Sequence, residues 1–117
     1  HVFCITSMSD LTSTVTLEAL SYGLPIVCLD HCGFAHVVND NCGLKIPVNK
    51  PKEAISGFKK LIEKLYFDEE LRQKLAEEAL VRSNDFSWKG KIKKLNTIKT
   101  EELSKLKIIL LLKKRQL

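Results

Sequence analysis

The chain has 117 residues, 44% of them hydrophobic, which suffices for one ordinary domain and excludes disorder throughout. Its net charge of +5 is uneven: residues 89–117 hold ten Lys/Arg against two Glu, while the other 88 hold nine against twelve. No apolar run reaches the ~18 residues of a spanning helix, and four cysteines without a C-x-x-C pair argue for reduced, buried thiols in a cytosolic protein rather than a disulfide framework.

In chain order, "VFCIT" (2–6) is β-branched and apolar on both faces, which predicts a strand buried in a parallel sheet. Because a core-like strand opens the chain, the sequence is expected to be a piece of something longer. Ser7 to Asp10 reads as a loop. From Ser13 to Tyr22 the spacing of Val15, Leu17, Ala19 and Leu20 predicts a helix, with Thr12 or Ser13 as its cap. Gly23 is placed to close that helix in a left-handed conformation, and Pro25 follows. "PIVCL" (25–29) predicts a second buried strand. Asp30 to Gly33 is a loop, "FAHVV" (34–38) a short helix, "NDNCG" a turn and "LKIPV" (44–48) a third strand. The alternation predicts an α/β fold: a Rossmann-like parallel sheet with flanking helices.

Pro51 suits the first position of a helix whose Ala54, Ile55, Phe58, Leu61, Ile62 and Leu65 recur at three- and four-residue spacing. A second helix follows, with Asp68 as N-cap and Leu71, Leu75, Ala79 and Leu80 on one face. After "FSW" (86–88) a basic helix is expected to about Lys99, and residues 101–117 form a further amphipathic basic segment. This organisation divides the chain into a domain at 1–88 and a basic helical tail at 89–117.

The chemistry concentrates in "SMSDLTSTVTLEALSYGLPIV". Ligands of parallel α/β sheets bind beyond the carboxyl ends of the strands, and helix N-termini attract phosphate. The amides and hydroxyls of Thr12, Ser13 and Thr14 could cradle a diphosphate. Asp10 and Glu18 stand eight residues apart, about 12 Å of helical rise, which approximates the span from a ribose across a diphosphate to a sugar. Carboxylates accept well from vicinal hydroxyls. A capped helix with one exposed glutamate would have the same sequence pattern.

The ordered series from Ser9 to Val48 resembles the C-terminal donor-binding domain of the group 1 retaining glycosyltransferases, which are built from two Rossmann-like domains (the GT-B architecture). It comprises Asp10 and Glu18 with seven residues between them, Gly23 with Pro25, Asp30, Gly33, and Gly43 with Leu44. The helix pair, the "DEELRQKL" run and "FSW" extend the resemblance to about residue 95. It implies that Glu18 binds the donor ribose, that Asp10 contacts the transferred sugar, and that Leu11 to Thr14 face the diphosphate. Asp30 and Gly33 would shape the neighbouring loop. The implied reaction moves a hexose from a nucleotide sugar to a saccharide or lipid-linked acceptor, with retention and without a metal or other cofactor. Three departures stand out. The first acid is Asp rather than Glu. "LTS" replaces Gly-Phe-Gly. Cys32 stands for a second loop glycine, with His36 in place of an acid in the next helix. The family's diphosphate-neutralising Arg and Lys lie upstream of the matched region, so these 117 residues alone are expected to be inactive.

Other readings are weaker. Cys28, His31, Cys32 and His36 match no common zinc spacing. Asp30, His31 and Cys32 lack a nucleophile elbow. A non-catalytic α/β nucleotide-binding or interaction module shares the alternating pattern. The basic cluster after Trp88 comes without a nucleic-acid motif, so no nucleic-acid partner is expected. Residues 101–117 fit either a membrane surface or an ordinary packed helix.

Overall fold

The computed structural model describes residues 1–10 and 14–114. The chain divides into a first compact unit, His1–Asn84, and a second beginning at Asp85. In the first unit the elements are β1 (Phe3–Cys4), α1 (Thr14–Ser21), β2 (Ile26–Leu29), α2 (Cys32–Val37), β3 (Gly43–Ile46), α3 (Pro51–Phe67) and α4 (Glu69–Phe86). The strands pair in parallel in the order β1-β2-β3, with Phe3 opposite Ile26 and Val27 opposite Leu44.

Only the central strand is wholly buried. Ile26, Val27, Cys28 and Leu29 all lie in the core, with neighbours on both edges and helices on both faces. Alternation sends Val27 and Leu29 to one side, where they join Ile46, Leu65 and Leu75, with Ala54, Phe58 and Leu61 of α3 packed against them. Helices α1 and α2 both pack on β2. The expectation that residues 2–6 form a strand buried on both faces is corrected. β1 is two residues long and half-exposed, because an edge strand has a neighbour on one side only. Cys4 and Cys32 are exposed for related reasons, one on that edge and one in a loop-to-helix turn, so only Cys28 and Cys42 are buried thiols.

Local chemistry explains most boundaries. α1 ends in a Schellman motif: Gly23 takes φ 65°, its N–H donates to the Leu20 carbonyl, and the Leu24 N–H donates to that of Ala19. Gly43 is needed where β3 meets β2, since a Cβ there would press into the Ile26 carbonyl oxygen and stand 2.6 Å from Val38 Cγ1. The Asp68 carboxylate accepts from the Leu71 N–H at 2.9 Å and so caps α4. Arg72 closes the other side of this corner, donating to the Leu65 carbonyl at the end of α3. Leu65 is buried as expected, but Ile55, Ile62 and Leu80 are largely exposed, because the apolar stripes of α3 and α4 are wider than the surface that covers them.

The second unit contains α5, Trp88–Lys114. Ser87 begins it, its Oγ accepting from the Gly90 N–H at 3.0 Å. The expected division near residue 100 is absent: α5 continues through it, and Thr97, Thr100 and Ser104 bond their hydroxyls to carbonyls four residues back. No helix among the described residues is long and apolar enough to cross a membrane.

Candidate functional site

The candidate site lies at the carboxyl ends of β1 and β2, built from α1 and the two loops beside it. The eight-residue α1 buries Thr16, Ala19 and Leu20 against the sheet. Thr16 is the one buried polar side chain among the described residues, and no buried side-chain polar atom there lacks a partner. Burying that face turns Thr14 and Glu18, four residues apart, onto one exposed ridge, with Ser21 continuing it. Ser21 Oγ donates to the Glu18 carbonyl at 2.7 Å, which leaves the Glu18 carboxylate out of that bond. Leu11, Thr12 and Ser13, expected to cradle a diphosphate, lie outside the described residues.

Asp10 is half-buried, and its carbonyl accepts a hydrogen bond from the Gly33 N–H at 3.3 Å. This bond joins the loop after β1 to the first turn of α2. The two regions that carry the expected site residues are therefore adjacent, although 23 positions separate Asp10 from Gly33. Asp30 is held more tightly. Its N–H donates to the Ile46 carbonyl at 2.8 Å, and its carboxylate pairs with Lys45 at 3.1 Å.

Sequence reasoning missed Lys45. A lysine midway along a short apolar strand was the available signal, and the pairing register sets it opposite Cys28, on the face that leads to Asp30. Arg82 was also missed. It reaches from α4 to the end of α2, donating from Nε to the Val37 carbonyl at 3.0 Å and from Nη2 to that of His36 at 2.9 Å. These bonds hold the C-terminus of α2, favourably for a cation at a helix end, and so help fix the helix whose first turn contains Gly33. The expected loop at Asp30 to Gly33 and helix at 34–38 are corrected, since α2 already begins at Cys32 and ends at Val37.

Cys32, where the resemblance expects a glycine, has φ 52°, within the left-handed region that favours glycine. The fold has kept the backbone turn and lost the residue that suits it. The Cys28 thiol is pushed up to about 12 by burial, which Lys45 partly offsets. It is therefore neutral at physiological pH and no nucleophile. Cys28 is buried within β2 while His31, Cys32 and His36 are exposed. No group of three or more His, Cys, Asp or Glu among the described residues could hold a metal ion. On the sheet face covered by α3, an apolar concavity of about 240 Å³ lies between Met8, Leu29, Val48 and Phe58. Its lining is mostly apolar, although Thr6, Asn49 and Lys50 also line it, and it includes neither Thr14 nor Glu18.

The arrangement is thus an exposed Thr–Glu ridge on α1, with an acid-bearing loop beside it and the first turn of α2, with Gly33, tied to that loop. A family model described as glycosyl transferases group 1 matches residues 1–82. No curated protein matches the chain. The match takes in 82 of 117 residues, including both loops, α1 and the glycine turn that closes it, and the chain therefore belongs to the group 1 glycosyl transferases, with a role in glycosyl transfer.

Proposed function

We propose that the chain supplies the donor-binding part of a retaining hexosyltransferase and takes a nucleotide sugar. Glu18 accepts from the ribose hydroxyls, residues 11–14 face the diphosphate, and Asp10 positions the transferred hexose. Asp30 and Gly33 set the loop that flanks Asp10. The observation that carries this reading is the shared ridge of Thr14 and Glu18, which presents a hydroxyl and a carboxylate side by side where parallel sheets bind ligands. The acceptor is a saccharide or a lipid-linked saccharide, and the setting is the cytoplasm. Charge on the leaving diphosphate is met by backbone amides, without a metal.

Thermal melting in the presence of UDP, GDP, ADP and their sugars tests this reading. A ligand at one hundred times its Kd stabilises the folded state by about 2.7 kcal/mol. One nucleotide series is expected to raise the melting temperature by several degrees. Failure of all three would remove the donor assignment.

A further inference from the structure

We propose that α5 is an interfacial helix that lies along an anionic lipid surface, with its apolar stripe in the headgroup–acyl boundary and its lysines at the lipid phosphates. At 3.6 residues per turn, Trp88, Ile92, Leu95, Leu103, Leu106 and Leu110 fall within an arc of about 80°. Within the second unit nothing covers them, and their exposures run from 49% to 81%. The stripe covers 23 residues of a continuous 27-residue helix, so it begins well before residue 101. Away from the arc lie Thr97, Thr100 and Ser104, whose hydroxyls are satisfied by the helix's own carbonyls, together with exposed Ile98, Ile108, Ile109 and Leu111.

Charge selects the occupant. Lys89 and Lys107 border the stripe on one side and Lys91 on the other, where Lys105 pairs with Glu102 at 2.7 Å. Lys99 lies within the arc, where a long stem can snorkel to the phosphates. Lys91 already stands over the Trp88 ring at 5.4 Å, which places a cation beside an aromatic anchor at one end of the stripe. From 88 to 114 the helix holds nine lysines and two glutamates. Pairing two copies along this stripe would bring lysine rows against lysine rows, with too few acids to offset them. An anionic lipid surface meets both features at once. The helix is not apolar enough to span. It lies on the surface rather than crossing it. This proposal is independent of the donor reading, and nucleotide binding is measured separately from it.

The test is cosedimentation of the full chain with vesicles of phosphatidylcholine alone and of equal parts phosphatidylcholine and phosphatidylglycerol. Emission from Trp88, the single tryptophan, serves as the depth reporter. Binding to the mixed vesicles with a blue shift is expected, and little or none to phosphatidylcholine alone. Leu95→Ser with Leu106→Ser should lower the partition coefficient on the order of tenfold per leucine. Lys107→Gln should lower it about fivefold. Helicity of each variant is checked by circular dichroism. Absence of binding to mixed vesicles overturns the proposal. So does binding that survives the leucine changes, since charge alone would then suffice. A lipid-free dimer abolished by those changes also overturns it, because a second copy would be the occupant.

Discussion

Replacing Cys32 by glycine should stabilise the first unit, although it removes a side chain. Cys32 sits at φ 52°, where a residue with a Cβ carries a cost of about 1–2 kcal/mol. Glycine removes that cost but adds about 0.4–1 kcal/mol of unfolded-state entropy. The net gain is then about 0–1.6 kcal/mol, centred near 0.8 kcal/mol, and the central value sets the expected shift. For a unit spanning residues 1–84, that corresponds to a rise of roughly 3–6 °C in Tm. The companion variant, Cys32→Ala, keeps the Cβ and the strain and should leave Tm within about 1 °C of the parent. Differential scanning calorimetry of the three proteins under reducing conditions reads the effect. If Cys32→Ala gains as much as Cys32→Gly, the thiol rather than the backbone is the source and the strain argument is wrong. A loss on going to glycine would refute it outright.

Gly43→Ala should act in the opposite sense, because its Cβ would meet backbone at Ile26 as well as Val38. Overpacking against a strand that cannot move aside predicts a loss of about 2–3 kcal/mol, read from the midpoint of urea unfolding. The Cys28 thiol gives a pH signature. Burial pushes it up to about 12, above its ordinary value of 9.0, so the folded state holds the proton longer. The stability this contributes is complete below pH 9 and is lost as pH rises toward 12, at no more than about 1.4 kcal/mol per unit. Cys28→Val should flatten that part of the stability profile, and an unchanged slope would assign the alkaline loss elsewhere.

Much of this fold is legible in the sequence because local signals agree with the tertiary arrangement. Gly23 and Pro25 mark the end of α1 and the start of β2, and Asp68 marks α4, through chemistry confined to a few neighbouring residues. Features set by distant neighbours are not legible. Whether "VFCIT" is buried depends on what flanks it, and an edge position leaves β1 short and half-exposed. The Asp30–Lys45 pair depends on the register between β2 and β3, and the hold of Arg82 on α2 depends on a return of the chain after some 45 residues. Hydroxyl and acid spacing pointed to α1, but which face it would bury became evident only with Thr16, Ala19 and Leu20 in the core. The basic helix expected to end near Lys99 instead continues to Lys114, and no glycine or proline between 91 and 114 interrupts it.

The central claim is that the ridge of Thr14 and Glu18 binds the nucleotide of a glycosyl donor. Isothermal titration of UDP, GDP and ADP into the purified chain and its Glu18→Gln variant tests it most directly. The account predicts saturable binding of one nucleotide, with no sugar transfer by the chain alone. Losing the charged acceptor for the ribose hydroxyls should weaken that binding by about 1.5–3 kcal/mol, or roughly 10- to 150-fold. Equal affinity in the two proteins, or no binding of any of the three nucleotides, would contradict it.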